Sequence, residues 1–322
     1  MAVYTKIDNR DLLSLSDSYK LGKITKLQGI KKGIENTNYL LKTNKKKFIL
    51  TIFEKRVQKK DLPFFMNLME KLDQKKIICP KPLKNSKGKH LSKIKNKPAS
   101  IVTFLSGSDK TNLNYKNCFD IGKNIAKFHK VTSKIKLYRE NSMSIKKLGG
   151  LIKNIKFKSN KIFSKLKPTL NMCLKDIKSQ WPKKLPDGII HGDLFIDNIF
   201  FDKNRFSGFI DFYFSSNDYL MYEIAICINA LCFDKKINSF KMNYQKVKNL
   251  IDGYETIRPF TKNEKNALNI LCRGAALRYL LTRIYDYLNT PKTALIKIKD
   301  PNEYFQKLIF HNNLNSYKDY YK

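Results

Sequence analysis

The chain has 322 residues, 42% of them hydrophobic and 12% aromatic, with 64 Lys+Arg against 27 Asp+Glu and a formal net charge of +37. That length and apolar share can fill one large or two modest cores and exclude a disordered chain. No apolar run is long enough to span a bilayer, and the polar residues 1–10 lack the apolar segment of a secretion signal, so a soluble cytoplasmic protein without a membrane partner is expected.

The lysines are spread along the whole chain rather than gathered in one patch, among many Asn and Ile. The charge therefore reads as a solvated surface, with weak sticking to polyanions but no specific nucleic-acid face. Cys79, Cys118, Cys173, Cys227, Cys232 and Cys272 show no zinc-knuckle or redox spacing and read as reduced, buried thiols.

In chain order, residues 21–27, 38–43 and 47–53 alternate or run apolar as strands do, with a two-glycine turn at 28–33. Such a turn can fold over nucleotide phosphates, but it matches neither G-x-G-x-x-G nor a Walker A loop, and alone it reads as an ordinary hairpin. Asp61-Leu62-Pro63 predicts a helix start, with Asp61 as N-cap. Phe64, Phe65, Leu68, Met69 and Leu72 then recur at helical spacing as a core stripe. An apolar strand over 99–105 ends at Ser106-Gly107, after which helical patterns dominate, so a boundary is placed there, between 1–105 and 106–322.

A helix is predicted over 114–132, ending near His129, which reads as a packing or capping residue. Lysine-rich helices follow over 142–180. Beyond the central stretch come a mostly apolar helix over 218–233 with Asp218 as N-cap, a helix over 240–256, and a long one over 261–289 opened by a Thr261/Glu264 capping box.

The chemistry is concentrated in Ile190-His191-Gly192-Asp193-Leu194-Phe195-Ile196-Asp197-Asn198-Ile199, followed by Ile210-Asp211-Phe212. A plain turn has no need of a His, two Asp and an Asn together. The spacing is that of a kinase catalytic loop: an Asp two residues after a His, an Asn five later, and a second Asp beyond a short hairpin. Phosphoryl transfer uses such a set. Asp193 reads as the base, His191 as a residue that orients the loop, Asn198 and Asp211 as magnesium ligands, and Asp197 as a loop acid. An isolated loop Asp is usually a turn former; the functional reading rests on the group.

These residues resemble the signature of the aminoglycoside phosphotransferase and choline kinase superfamily. Gly33-Ile34-Glu35-Asn36-Thr37-Asn38-Tyr39, Leu50-Thr51-Ile52-Phe53-Glu54, Ile210-Asp211-Phe212-Tyr213-Phe214 and Leu277-Arg278-Tyr279-Leu280-Leu281-Thr282-Arg283 are similar to its homoserine kinase branch, and the resemblance runs along nearly the whole chain. It implies an α+β, protein-kinase-like fold of two lobes: a small β-rich N-terminal lobe that binds nucleotide and a larger helical lobe. It implies ATP and Mg2+ as cofactors and phosphorylation of the L-homoserine hydroxyl on the route to threonine. The nucleotide would be held by Gly33, Glu35, Asn36, Thr37 and Asn38 at its phosphates, and by the connection at Thr103 and Leu105 at its adenine.

One departure stands out. Kinases place a Lys on the third strand for the phosphates, and Thr51 occupies that position here. Lys47, Lys55 and Arg56 are near in sequence, and strand alternation alone does not decide among them. For the substrate, Arg278 and Arg283 are candidate carboxylate partners, with a helix-surface or interlobe ion pair as the competing reading. A kinase of choline, an amino sugar or another alcohol, and a non-catalytic polyanion-binding protein on a kinase fold, are the alternative functions.

Overall fold

The computed structural model describes residues 4–30, 36–54, 57–157, 160–290 and 298–322. The chain divides into two compact units. The first comprises Met1–Gly107 with Ser207–Tyr213, and the second Ser108–Phe206 with Phe214–Lys322.

In the first unit, α1 (Asn9–Tyr19) starts at Asp8, which forms a capping box with Asp11. Next come β1 (Ile24–Gly29), β2 (Thr37–Thr43), β3 (Lys47–Ile52), α2 (Leu62–Gln74), β4 (Leu91–Ile94) and β5 (Lys97–Thr103). The strands form one antiparallel sheet in the order β1-β2-β3-β5-β4. Phe48, Leu50 and Ile52 point to one face, where they join Tyr39, Leu41, Ala99 and Ile101 with Leu15 and Tyr19 of α1 in a single core. Each fully buried Leu or Ile in it contributes about 2 kcal/mol.

Because side chains alternate, the cross-strand set Asn38, Thr51 and Ser100 lies on the opposite face. The register also puts Lys47, paired with Lys42, on the same face as Thr51. Asp61 makes no side-chain cap at the start of α2; a 3₁₀ turn over Lys59–Asp61 runs directly into the helix.

In the second unit, α3 (Tyr115–Thr132), α4 (Leu148–Asn154) and α5 (Lys161–Gln180) precede β6 (Asp187–Ile190), β7 (Ile199–Asp202), β8 (Arg205–Phe209) and β9 (Ser216–Tyr219). β7 and β8 form a hairpin whose turn residues, Lys203 and Asn204, both have positive φ, as a type I′ turn requires. The last residues of β8 already count with the first unit. Then follow α6 (Leu220–Leu231), the short antiparallel pair β10 (Phe233–Lys235) and β11 (Phe240–Met242), α7 (Tyr244–Glu255), α8 (Lys262–Asn289) and α9 (Asn302–Asn312).

α3 and α7 cross at two glycines. A Cβ on Gly122 would stand 1.9 Å from the Leu250 carbonyl oxygen, and one on Gly253 would stand 2.0 Å from that of Phe119. The Thr261/Glu264 box caps α8 as its sequence predicts. Asp218, expected as a helix N-cap, lies in β9 instead, and α6 begins after Tyr219. The helix expected from residue 240 begins at Tyr244, because 240–242 pair as β11. All six cysteines are free, and all but Cys173 are buried. Among the described residues no helix is long and apolar enough to cross a membrane.

Candidate active site

β6 delivers the chain to the catalytic loop. Ile189 and Ile190 are fully buried, and β6 pairs antiparallel with β9, Ile190 opposite Ser216. The loop then turns at Gly192, whose φ is +77°. A Cβ there would lie 2.9 Å from the Phe214 carbonyl oxygen, so both the backbone angle and the space require glycine. A 3₁₀ turn over Ile196–Asn198 brings Asn198 back over Asp193. The Asn198 amide Nδ2 donates to the Asp193 carbonyl oxygen at 2.8 Å and to its carboxylate Oδ2 at 3.2 Å. Tyr279, from the middle of α8, points its hydroxyl at the Gly192 carbonyl oxygen (3.2 Å) and at Asp193 Oδ1 (3.4 Å). The Phe195 ring meets the Tyr279 ring edge-on at 4.9 Å. Both oxygens of Asp193 are thus held by groups of the same unit, and the carboxylate direction is set before any substrate arrives.

Beneath the loop, the Glu223 carboxylate accepts the backbone N–H of His191 and, at 3.0 Å, that of Gly192. Glu223 is fully buried on α6. His129 Nε2 stands 3.9 Å from it, and His129 Nδ1 meets the Tyr254 hydroxyl at 2.9 Å. Burial holds the His129 imidazole below its ordinary pKa, with Glu223 pulling the other way. The His191 side chain is also fully buried. Asp197 is half-buried, with Lys299 Nζ 3.8 Å from it.

The two arginines proposed from sequence differ in what they touch. Arg283 donates to Glu303 Oε2 at 2.7 Å and to the Asp300 carbonyl oxygen at 2.9 Å, an arrangement that ties α8 to α9. Arg278 is 3% exposed; among the described residues it makes no ion pair, and its Nε and Nη1 have no hydrogen-bond partner. Its Cζ lies 4.7 Å from the Tyr279 ring centroid. Burial disfavours its charge, but the surrounding Tyr279, Tyr222 and Asp193 outweigh that and hold its pKa above the ordinary value.

The remaining candidates belong to the first unit. Asp211 is exposed and has a φ of 63°, a sparsely populated backbone state for a residue other than glycine. Two residues on, Tyr213 packs edge-on against Phe53 (5.1 Å) and Phe65 (5.7 Å). Burial raises its phenol pKa, and the phenol also senses Asp211, Thr51 and Ser100. Thr51 donates to Asn38 Oδ1 at 2.8 Å. The third-strand position is therefore filled by a neutral, hydrogen-bonded cluster. Lys47, on the same face, lies over the Phe104 ring at 5.4 Å.

Thr37 is fully buried: it accepts from the N–H groups of Tyr4 and Thr5 and donates to Glu54. Asn36 Oδ1 accepts from the Glu54 N–H at 3.3 Å. The Thr103 hydroxyl accepts from the Lys81 N–H, and Leu105 is half-buried. Gly33, Glu35, Lys55 and Arg56 lie outside the described residues.

Sequence reasoning missed Glu223 and Tyr279. A usable signal for Glu223 was present: it is the one acid in the apolar run Leu220-Met221-Tyr222-Glu223-Ile224-Ala225-Ile226, and a charge buried in such a run needs a partner. Tyr279 carried no such signal.

The sequence profile of the family described as "Phosphotransferase enzyme family" matches residues 26–260. The homoserine kinase of Sinorhizobium medicae is 41% identical over 320 residues, covering 99% of this chain and 97% of the relative. That of Bartonella henselae is 40% identical over 316 residues, covering 98% of each. Among solved structures, an amicoumacin kinase in complex with AMP-PNP, Ca2+ and Ami superposes with a TM-score of 0.69 at 13% identity, over 95% of this chain and 92% of its own. The choline kinase of Cryptosporidium parvum does so with a TM-score of 0.65 at 16% identity, over 98% and 100%. At that identity these structures speak for the fold: a protein-kinase-like one, with an antiparallel β unit and a helical unit.

Proposed function

The chain belongs to the phosphotransferase enzyme family and, within it, to the homoserine kinases, and from that premise we propose that it transfers the γ-phosphoryl group of ATP to the side-chain hydroxyl of L-homoserine. The products are ADP and O-phospho-L-homoserine, a step toward threonine. The observation that carries this reading is the 41% identity to a homoserine kinase along 99% of the chain.

Asp193 is the base. As the homoserine oxygen bonds to the γ-phosphorus and the bond to the ADP oxygen breaks, the hydroxyl proton passes to the Asp193 carboxylate. Asn198 and Tyr279 hold that carboxylate in one orientation, and Glu223 with His191 fixes the loop that bears it. No covalent phospho-enzyme is needed; positioning and electrostatics carry the rate.

Asn198 and Asp211 are the residues that would hold magnesium. Their chemistry fits: Asn198 engages Asp193 through its amide nitrogen, which leaves Oδ1, a hard oxygen, for a cation. Asp211 adds an exposed carboxylate. Bound there, magnesium supplies charge neutralisation for the nucleotide phosphates. In the first unit, Asn36, Asn38 and the connection at Thr103 and Leu105 contribute to the nucleotide site, and the neutral Thr51 cluster stands where other kinases carry a lysine. Arg278 takes the substrate carboxylate, while Arg283 braces α9. A cytoplasmic location belongs to the same reading.

The test is ADP release from purified protein with ATP and Mg2+, across homoserine, choline, an aminoglycoside and no acceptor. Release with homoserine alone is expected. Release with another acceptor and not with homoserine would replace the substrate and keep the Asp193 chemistry.

A further inference from the structure

Homoserine presents two charges at one carbon, an ammonium and a carboxylate, with the reacting hydroxyl two carbons away. A site that selects it must offer opposite charges at one end and a base at the other. The second unit contains two opposite charges, one buried and one half-buried, that have no ion-pair partner among the described residues. Arg278 is one: a guanidinium at 3% exposure whose Nε and Nη1 meet no acceptor. An unpaired charge in such surroundings is costly and is tolerated where a ligand completes it.

Asp218 is the other. It is half-buried on β9, opposite Gly188 of β6. Its Oδ2 accepts from Asn141 Nδ2 at 2.6 Å, and its Oδ1 accepts from the Tyr219 N–H at 2.8 Å. Asn141 is itself buried at 6% exposure and fixed by accepting the Met143 N–H at 2.8 Å. Two neutral donors thus orient the carboxylate, and among the described residues no cation lies within ion-pair distance of it. Both groups act on Tyr222, four residues after Asp218 at the start of α6 and 1% exposed, whose phenol hydrogen-bonds to Arg278 and feels the Asp218 charge. Arg278 also sits over Tyr279, and the hydroxyl of that ring is 3.4 Å from Asp193 Oδ1. The acid, the guanidinium and the base therefore belong to one neighbourhood of one unit, connected through two tyrosines.

We propose that Asp218 receives the α-ammonium of homoserine while Arg278 receives its α-carboxylate, so that this opposed pair makes the enzyme select an α-amino acid over other small alcohols. The inference rests on the homoserine reading above. Had the two side chains been closer they would have neutralised each other; held apart, each by its own neighbours, they suit the two ends of a zwitterion. Burial works against the Asp218 charge, and the Arg278 field works for it.

The test compares homoserine with 4-hydroxybutyrate, which lacks the ammonium, and 3-aminopropan-1-ol, which lacks the carboxylate. In the wild type, both analogues should give kcat/KM lower by about 100-fold or more, since each leaves one buried charge unpaired. Asp218→Asn removes the charge and keeps the shape and one of the two acceptor oxygens, turning an amide N–H toward the other donor. It should raise KM for homoserine by about 10- to 100-fold with KM for ATP unchanged. It should also bring the homoserine to 4-hydroxybutyrate ratio close to one while leaving the 3-aminopropan-1-ol ratio in place. Arg278→Met should do the reverse.

An Asp218→Asn enzyme whose homoserine KM and selectivity ratios match the wild type overturns the pair. So does one that loses only kcat, which is the mark of a structural role. Should the variants fail to fold, the thermal shift of the wild type decides: 4-hydroxybutyrate stabilising it as strongly as homoserine overturns the proposal. A wild type that turns over choline or an aminoglycoside but not homoserine overturns the function and the pair together, and is distinguished by being read first.

Discussion

Glu223 and Gly192 are joined by a bond that crosses 31 residues of sequence: a fully buried carboxylate on α6 accepts the N–H of the residue before Asp193, the proposed base, at 3.0 Å. The same carboxylate accepts the His191 N–H. Both are charge-assisted bonds in a dry setting, the kind that fixes a loop most firmly. Glu223→Gln keeps one acceptor but aims an amide N–H at one of the two donors. We expect kcat to fall by about 10- to 100-fold with the affinities for ATP and homoserine retained, because the loop loses aim rather than contact. Glu223→Ala leaves both N–H groups buried without an acceptor and should cost about 3 kcal/mol in urea denaturation. A Gln variant with wild-type kcat would show that the charge is not needed to hold the loop.

Asp193 and Asn198 should fail differently. Asp193→Ala removes the base, so turnover should drop by about 10³-fold or more while ATP binding, measured by fluorescence or calorimetry, stays intact. Asn198→Ala removes the amide oxygen proposed for magnesium and also the Nδ2 grip on Asp193. Excess magnesium should therefore recover part of the lost rate and leave a residue of loss that no metal concentration repairs. Full recovery would mean that the grip on Asp193 contributes nothing to turnover.

How much of this was legible beforehand depended on whether a signal was local. The catalytic loop could be read because His191, Asp193 and Asn198 crowd together between apolar flanks, which no turn requires. The start of α8 could be read because a capping box is complete within four residues, Thr261 to Glu264. The face carrying Thr51 could not be read, since alternation separates two faces but does not say which is buried. The register Asn38–Thr51–Ser100 and the core behind Leu50 settle that. Strands of three residues such as β10 and β11 are too short for any periodicity, so the helix predicted from 240 overran them. α1 buries only Leu15 and Tyr19, too thin a stripe to announce a helix. Asp218 has the chemistry of an N-cap, but pairing with β6 keeps it extended. The return of 207–213 to the first unit is a tertiary fact with no sequence mark.

His311 predicts how stability responds to acid. It is fully buried, with Nδ1 2.9 Å from the Tyr320 hydroxyl and Nε2 3.1 Å from Asn229 Oδ1. Burial, with Lys307 and Arg273 adding to it, pushes its pKa from 6.5 down to about 3. Between those values the unfolded chain binds a proton that the folded chain does not, so acidification favours unfolding across that window. The contribution is fully present above pH 6.5 and is lost as pH falls, by about 2 kcal/mol at pH 5. His129, lowered by burial as well, acts in the same direction. Urea midpoints at pH 7 and pH 5 should show a smaller drop in His311→Gln than in the wild type, by about that amount. An equal drop in both would mean that the imidazole is not held neutral in the fold.

Arg283 and Arg278 stand five residues apart on α8 and should give opposite phenotypes. Arg283 is bonded to Glu303, which also takes Lys307 Nζ at 2.6 Å, and Lys307 in turn donates to the Asn229 carbonyl oxygen at 2.7 Å. The chain of contacts runs from α8 through α9 to α6 and is largely out of water, with Lys307 only 2% exposed. The cations hold the Glu303 carboxyl below its usual range against the effect of burial. Removal of one cation from such a group leaves the acid under-compensated, a loss of about 3 kcal/mol. Arg283→Ala should therefore unfold at lower urea and be more sensitive to protease, yet below its own melting temperature show a homoserine KM within about twofold of wild type. Arg278→Ala should instead raise that KM by 10-fold or more with a smaller drop in urea midpoint than Arg283→Ala, because its contacts among the described residues, the Tyr222 phenol and the Tyr279 ring, include no ion pair. A homoserine KM that rises in Arg283→Ala as steeply as in Arg278→Ala would put both guanidinium groups in the substrate site and end the distinction drawn here.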